Sequence, residues 1–197
     1  MRIGGFLPFT LSDYPGRPAS MVFVQGCNYR CPYCHNPSLL AEGPGTLAEE
    51  DILGRLRRRT KVMPAVVVSG GEPTLQDDLP DFCHRLRTLG LRVKLDTNGS
   101  RPVLLETLLA GRLVDYVAMD VKAPWRGYGW IGGQADGETA ARSAALIAAS
   151  GVEHHFRTTF DRSRLTQAQL DVIRAALPAG STYVIQPCRT PRPAATA

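Results

Sequence analysis

Cys27, Cys31 and Cys34 fall within eight residues, in the stretch Gly26-Cys-Asn-Tyr-Arg-Cys-Pro-Tyr-Cys-His-Asn-Pro37. Three thiolates on one tight loop can hold three corners of a cubane iron–sulfur cluster and leave the fourth iron open to a substrate. Other chemistries use parts of the same stretch. Cys31-Pro-Tyr-Cys34 is also a redox dithiol tetrad, and Cys31-x-x-Cys34-His35 fits the attachment sequence for c-type haem, but neither employs Cys27. A redox dithiol wants a helix starting at its first cysteine, and Pro37 followed by Gly-Pro-Gly at 43–45 leaves little room for one. Haem attachment needs export, whereas the first residues carry one positive charge and an apolar run broken by Pro8, which does not read as a signal peptide. A zinc site of Cys27, Cys31, Cys34 and His35 is the remaining alternative. Adjacent Cys34 and His35 fit one tetrahedron poorly, and no second CxxC completes it.

Further along, Ser69-Gly-Gly-Glu-Pro-Thr74 follows an apolar run, and its two glycines allow the backbone to approach a ligand closely. The bland reading is an ordinary turn. Asp96-Thr-Asn-Gly99 and Met119-Asp-Val-Lys122 end two further apolar runs. Charges there are costly unless partnered, so Asp96, Asp120 and Lys122 read either as binding groups or as a surface ion pair beside an Asn-Gly turn.

The CxxxCxxC spacing, with Asp13-Tyr-Pro-Gly16 upstream, Gln25-Gly-Cys27 leading in and Cys31-Pro-Tyr-Cys-His-Asn-Pro37 leading out, resembles the radical S-adenosylmethionine (SAM) enzymes. Among them it is similar, from about residue 5 to 187, to the activating proteins of anaerobic ribonucleoside-triphosphate reductase, in the short form without extra ferredoxin-type cysteines. The resemblance implies a [4Fe–4S] cluster on Cys27, Cys31 and Cys34, and SAM bound beside it. The backbone of Gly70 and Gly71 would meet the SAM amino group, with Glu72 as a supporting anchor. Asp96, Thr97 and Asp120 would hold a monovalent cation near the SAM carboxylate, and Lys122 would contact the methionine moiety. Tyr33 would lie against adenine or merely shield the cluster, and Arg157 would meet the SAM carboxylate or ribose unless its strand phase turns it outward. Gln186 and Cys188, at the last strand end, carry a weaker signal.

The implied activity is reductive cleavage of SAM to methionine and a 5′-deoxyadenosyl radical, which abstracts a hydrogen from a glycine of the reductase. The implied partners are that glycyl-radical protein and a flavodoxin- or ferredoxin-like electron donor. A small-molecule radical SAM enzyme, as in deazapurine synthesis, is the enzymatic alternative. A non-catalytic metal-binding interaction module is the other, although it would not need the 69–74, 96–99 and 119–122 motifs.

Positioning these groups requires strands that end together. Strand-like runs at 20–25, 65–69, 91–96, 115–121, 154–160 and 182–186 alternate with helical patterns at 47–59, 79–89, 101–110, 138–149 and 167–176. Thr46 and Glu49 are spaced as a capping box, and Gly90, Gly111 and Gly151 are placed as helix stops. This alternation predicts an α/β protein with parallel strands. Six strands agree with the partial (βα)6 TIM-like barrel that the resemblance implies, and every motif above falls at a strand's carboxyl end, where such folds place their sites. A single domain is expected over 1–188, with 189–197 a loose tail. Cys83 and His84 read as packing or surface residues on a helix, and 125–133 as an ordinary glycine and aromatic loop or a lid that meets a partner.

At 197 residues and 44% hydrophobic content the chain supports one well-cored domain. Its charge of +5 is spread apart from a basic run at 55–61, which reads as a solvated helix end or a patch for an acidic partner and not as a nucleic-acid site. Five cysteines in this arrangement do not form a disulfide framework, and no 18-residue apolar span occurs. A cytoplasmic protein with no membrane contact is expected.

Overall fold

A computed structural model describes residues 1–188; the expected loose tail, 189–197, lies outside the described residues. Seven strands form one sheet in chain order: β1 (Ile3–Thr10), β2 (Ala19–Val24), β3 (Ala65–Gly70), β4 (Arg92–Thr97), β5 (Tyr116–Asp120), β6 (Glu153–Phe160) and β7 (Thr182–Pro187). Strands β2 to β7 are parallel, each joined to the next through a helix. These are α1 (Glu49–Arg57), α2 (Leu79–Thr88), α3 (Pro102–Ala110), α4 (Gly137–Ala149) and α5 (Gln167–Ala176). The six expected strands and five expected helices are therefore present within two residues at nearly every boundary. The sheet does not close on itself, because β1 and β7 are its two edges.

Strand β1 is absent from the sequence reading and pairs antiparallel with β2. Gly4, Gly5 and Pro8 give it little intrinsic strand preference. Pairing overrides that preference, and the ladder breaks register between Leu7 and Thr10, around Pro8, where a missing N–H does no harm.

Alternation along the parallel strands divides the sheet into two faces. Val22, Val24, Val66, Val68, Val93, Leu95, Val117, Met119 and Phe156 belong to the main core with buried residues of the helices. Ala19, Met21, Ala65 and Val67 form a second, smaller cluster with Tyr14, bordered by Phe23 and Tyr116. Being buried on both faces explains why β3 reads Ala-Val-Val-Val without polar alternation.

The helix ends follow local chemistry, with two corrections. Thr46 does not cap α1: its hydroxyl donates to the Gly4 carbonyl at 3.1 Å, and the helix starts at Glu49 with Glu50 and Asp51 on the positive end of its dipole. A capping box is instead built by Thr166 and Gln169 on α5. Gly90 and Gly151 take the left-handed conformation after α2 and α4, but Gly111 remains helical, and the positive φ of 49° falls on Arg112. The basic run at 55–61 forms the largely exposed end of α1 and the turn after it, while Cys83 is buried in the core and its neighbour His84 is exposed. No helix among the described residues is long and apolar enough to cross a membrane.

Beneath the strand ends, His155 Nδ1 lies 2.9 Å from the Tyr116 hydroxyl. Burial, and then the positive charges of Lys94 and Arg157, bring the imidazole down to about 4 despite Asp96 and Asp120 nearby. The folded chain thus keeps His155 neutral through a range where the unfolded chain protonates it. Its contribution to stability is whole above about pH 6.5 and is lost as pH falls toward 4. His155→Gln should reduce the loss of urea-unfolding free energy between pH 6.5 and 4 by roughly 1–2 kcal/mol relative to the parent, and an identical slope in the two proteins would remove His155 from the account.

Candidate active site

The cysteine loop leaves β2 through Gly26, whose φ of +95° turns the chain across the end of the sheet. Its N–H donates to Leu39 O at 2.9 Å and its carbonyl accepts from Glu72 N at 2.8 Å. Gly71 must be glycine here, since a Cβ would stand 2.0 Å from the Gly26 oxygen. On the far side the loop is clamped by Gln134 N to Asn28 O at 2.8 Å and by a bridge between Tyr29 and Gly133. Asn98 Nδ2 and Ser100 Oγ reach the Asn28 side chain at 3.0 and 3.3 Å. After Cys34 only a short 3-10 turn, Pro37–Leu39, follows, so no helix starts at Cys31.

All twelve residues singled out from the sequence for metal or SAM line one cavity of about 470 Å³. Cys27, Cys31, Tyr33 and Cys34 come from the loop, and Gly70, Gly71 and Glu72 from the end of β3. Asp96, Thr97, Asp120, Lys122 and Arg157 come from β4, β5 and β6 and the turns after them. The sequence reading missed Tyr29, Asn98 and Thr159, which also line it, and gave little weight to Gln186, which does too. Cys188 instead borders a neighbouring hollow with Pro32, Tyr33 and Phe160.

Glu72 is a brace. It is 1% exposed, and its carboxylate accepts from Thr74 N (3.0 Å), Thr74 Oγ1 (2.6 Å), Thr97 Oγ1 (2.7 Å) and Asn98 N (2.6 Å). Burial pushes its carboxyl above the usual range although these four donors pull the other way. The expected anchoring role is thus exerted on the turns after β3 and β4.

Beyond it runs an alternating chain of charge: Lys94, Asp96, Arg157, Asp120, Lys122. Lys94 Nζ bonds Asp96 Oδ1, Arg157 Nη2 stands 3.2 Å from Asp96 Oδ2, Arg157 Nε is 2.6 Å from Asp120 Oδ1, and Lys122 Nζ is 3.3 Å from Asp120 Oδ2. Burial raises both carboxyls, but Arg157 with Lys94, and Arg157 with Lys122, outweigh it and hold Asp96 and Asp120 below the normal range. This settles the phase of Arg157, which faces inward opposite Asp120 in the β5–β6 ladder. Lys94 was missed, yet it is legible as a lysine two residues before Asp96, on the same face of the strand. Of the expected cation ligands, every oxygen of both carboxylates has a protein donor and the Thr97 hydroxyl is turned to Glu72.

The 125–133 segment is neither lid nor open loop. It forms a 3-10 run, Trp125–Ile131, with Tyr128 and Ile131 buried, and the Tyr128 hydroxyl accepts from Lys122 N at 3.2 Å. Tyr33 packs 6.1 Å from Trp130, and Lys122 Nζ lies 5.9 Å from the Tyr33 ring centre.

Cys27 is pushed up to about 11 by burial and Cys31 is raised by the same cause, so neither is the low-pKa thiol that a redox dithiol requires. Among the described residues no three His, Cys, Asp or Glu side chains converge on a single metal ion. A cubane takes its thiolates at separate corners, and three thiols with an ammonium group nearby at the wall of one cavity suit it. Tyr29 and Tyr33 add aromatic residues to the same wall.

Comparison with known proteins identifies the family. A candidate glycyl-radical enzyme activating enzyme of Methanocaldococcus jannaschii is 32% identical over 190 residues, which cover 93% of this chain and 78% of that protein. A 7-carboxy-7-deazaguanine synthase of Koribacter versatilis is 34% identical over 122 residues, 60% of this chain and 50% of that one. Among solved structures, Streptococcus suis SuiB bound to S-adenosylmethionine superposes with a TM-score of 0.68 at 13% identity, over 84% of this chain and 39% of SuiB, a likeness of fold. Residues 21–162 match the sequence profile of the radical SAM superfamily, whose members use a [4Fe–4S] cluster and SAM, and the chain belongs to that superfamily.

Proposed function

We propose that this chain is an activating enzyme that abstracts a hydrogen atom from a glycine of a partner protein, an anaerobic ribonucleotide reductase. The observation that carries the reading is the gathering of three loop thiols and nine further ligand-type residues around one cavity whose mouth is flanked by the sheet's edges. When bound, the cluster and SAM supply the electron and the carbon-centred radical. Cys27, Cys31 and Cys34 would hold the cluster. The Gly70–Gly71 backbone admits the SAM amino group, Lys122 and Arg157 hold the methionine end, and Tyr33 packs against adenine. Glu72 keeps the turns after β3 and β4 at a fixed separation.

A protein substrate is supported by the relative that spans 93% of the chain, by Asp13-Tyr-Pro-Gly16, and by the open barrel. Leu7 and Asp13 at one edge and Gln186 at the other border the cavity, and Leu7, Phe9 and Leu11 on the β1 side are exposed apolar residues. The electron would come from a flavodoxin- or ferredoxin-like protein, in a cytoplasm that keeps the five free cysteines reduced. The deazaguanine synthase relatives favour a second reading, a small-molecule radical SAM enzyme.

Three outcomes test the reading. After anaerobic reconstitution, Cys31→Ala should lose the cluster by iron and sulfide analysis while Cys83→Ala retains it. Lys122→Ala should keep the cluster but bind SAM roughly tenfold to more than a hundredfold more weakly, as loss of a charge-assisted contact of about 1.5–3 kcal/mol implies. Reduced protein with SAM should give a glycyl radical by electron paramagnetic resonance only when the reductase is present. SAM cleavage that follows a small deazapurine precursor, with no radical on the reductase, decides for the second reading.

A further inference from the structure

The two carboxylates at the ends of β4 and β5 are neutralised from within the chain. Asp96 and Asp120 together meet three cationic groups, Lys94, Arg157 and Lys122, and Ser69 Oγ adds a hydrogen bond to Asp96 at 3.2 Å. Lys94 is 1% exposed, with its ammonium group on Asp96. A metal cation placed between the carboxylates would have to displace Arg157 from both of them, and would then stand close to two ammonium groups. Like charges at such separations repel strongly where water is scarce. The five groups instead sum to one surplus positive charge, which a carboxylate ligand completes.

We propose that Lys94 and Arg157 are built-in counter-ions of this site, so that SAM binds without an exchangeable monovalent cation. The inference rests on the SAM-binding reading above. Lys94 acts as a positioning residue through Asp96, whereas Arg157 both bridges the carboxylates and faces the ligand.

The test is SAM affinity, measured by equilibrium dialysis on cluster-bearing protein in sodium, potassium or tetramethylammonium chloride at equal ionic strength. The parent protein should show dissociation constants within about twofold in all three salts. Arg157→Gln removes the internal cation and should bind SAM about tenfold more weakly in tetramethylammonium, with most of the loss restored by sodium or potassium. A parent affinity that rises about tenfold on adding sodium or potassium overturns the proposal, as does SAM binding left unchanged by both Arg157→Gln and Lys94→Met. If either variant fails to fold, the salt comparison on the parent still decides. Cluster-bearing parent protein that binds no SAM in any salt defeats the SAM reading itself, and this proposal with it.

Discussion

The buried carboxylate of Glu72 is the constraint on which the site's geometry depends. A carboxylate removed from water costs several kcal/mol unless its lone pairs are filled. Here they are filled only if the turn after β3 and the turn after β4 stand at one separation, because two donors come from Thr74 and two from Thr97 and Asn98. Glu72 also donates its own N–H to the Gly26 carbonyl, so the cysteine loop is referenced to the same point. Asn98 then extends the tie to Asn28 inside the loop. Glu72, through its side chain and its backbone N–H, thereby ties three segments of the site together.

The parallel sheet does the coarser work. It brings apolar strands to a common end and leaves their polar last residues facing one cavity, while the helices bury the opposite face. The charge chain from Lys94 to Lys122 is affordable at that depth because each member lies against an opposite charge, which is also why Arg157 cannot swing freely outward.

Most of this was legible in the sequence where local chemistry decides. The six parallel strands announce themselves as short β-rich runs, and the motifs fall at their ends because only there can Gly-Gly or Asn-Gly turns and charges be accommodated. Long-range pairing hid the rest. Strand β1 has two glycines and a proline and exists because β2 needs a neighbour on that side. Thr46 looked like a cap but bonds to Gly4, a residue 42 positions away. The 125–133 segment read as a loop because its aromatic residues do not recur at a helical period, yet Tyr128 and Ile131 are buried beneath Lys122. Lys94 was missed because lysine is normally a surface residue, and only its partner Asp96 reveals the inward face.

The chain-order sheet also bears on how the protein is made. Each strand pairs with its immediate predecessor, so the barrel can grow in the direction of synthesis, with each newly emerged unit adding to an edge already formed. The cysteine loop emerges early, after β2, but the residues that clamp it, Gly133 and Gln134, and the arginine that neutralises its neighbouring carboxylates come roughly a hundred residues or more later, several seconds or more at ordinary synthesis rates. Until then the three thiols sit on an unfinished wall. A nascent chain can therefore present the three thiols well before it has the residues that clamp their loop, and the wall is whole only once β6 has been added.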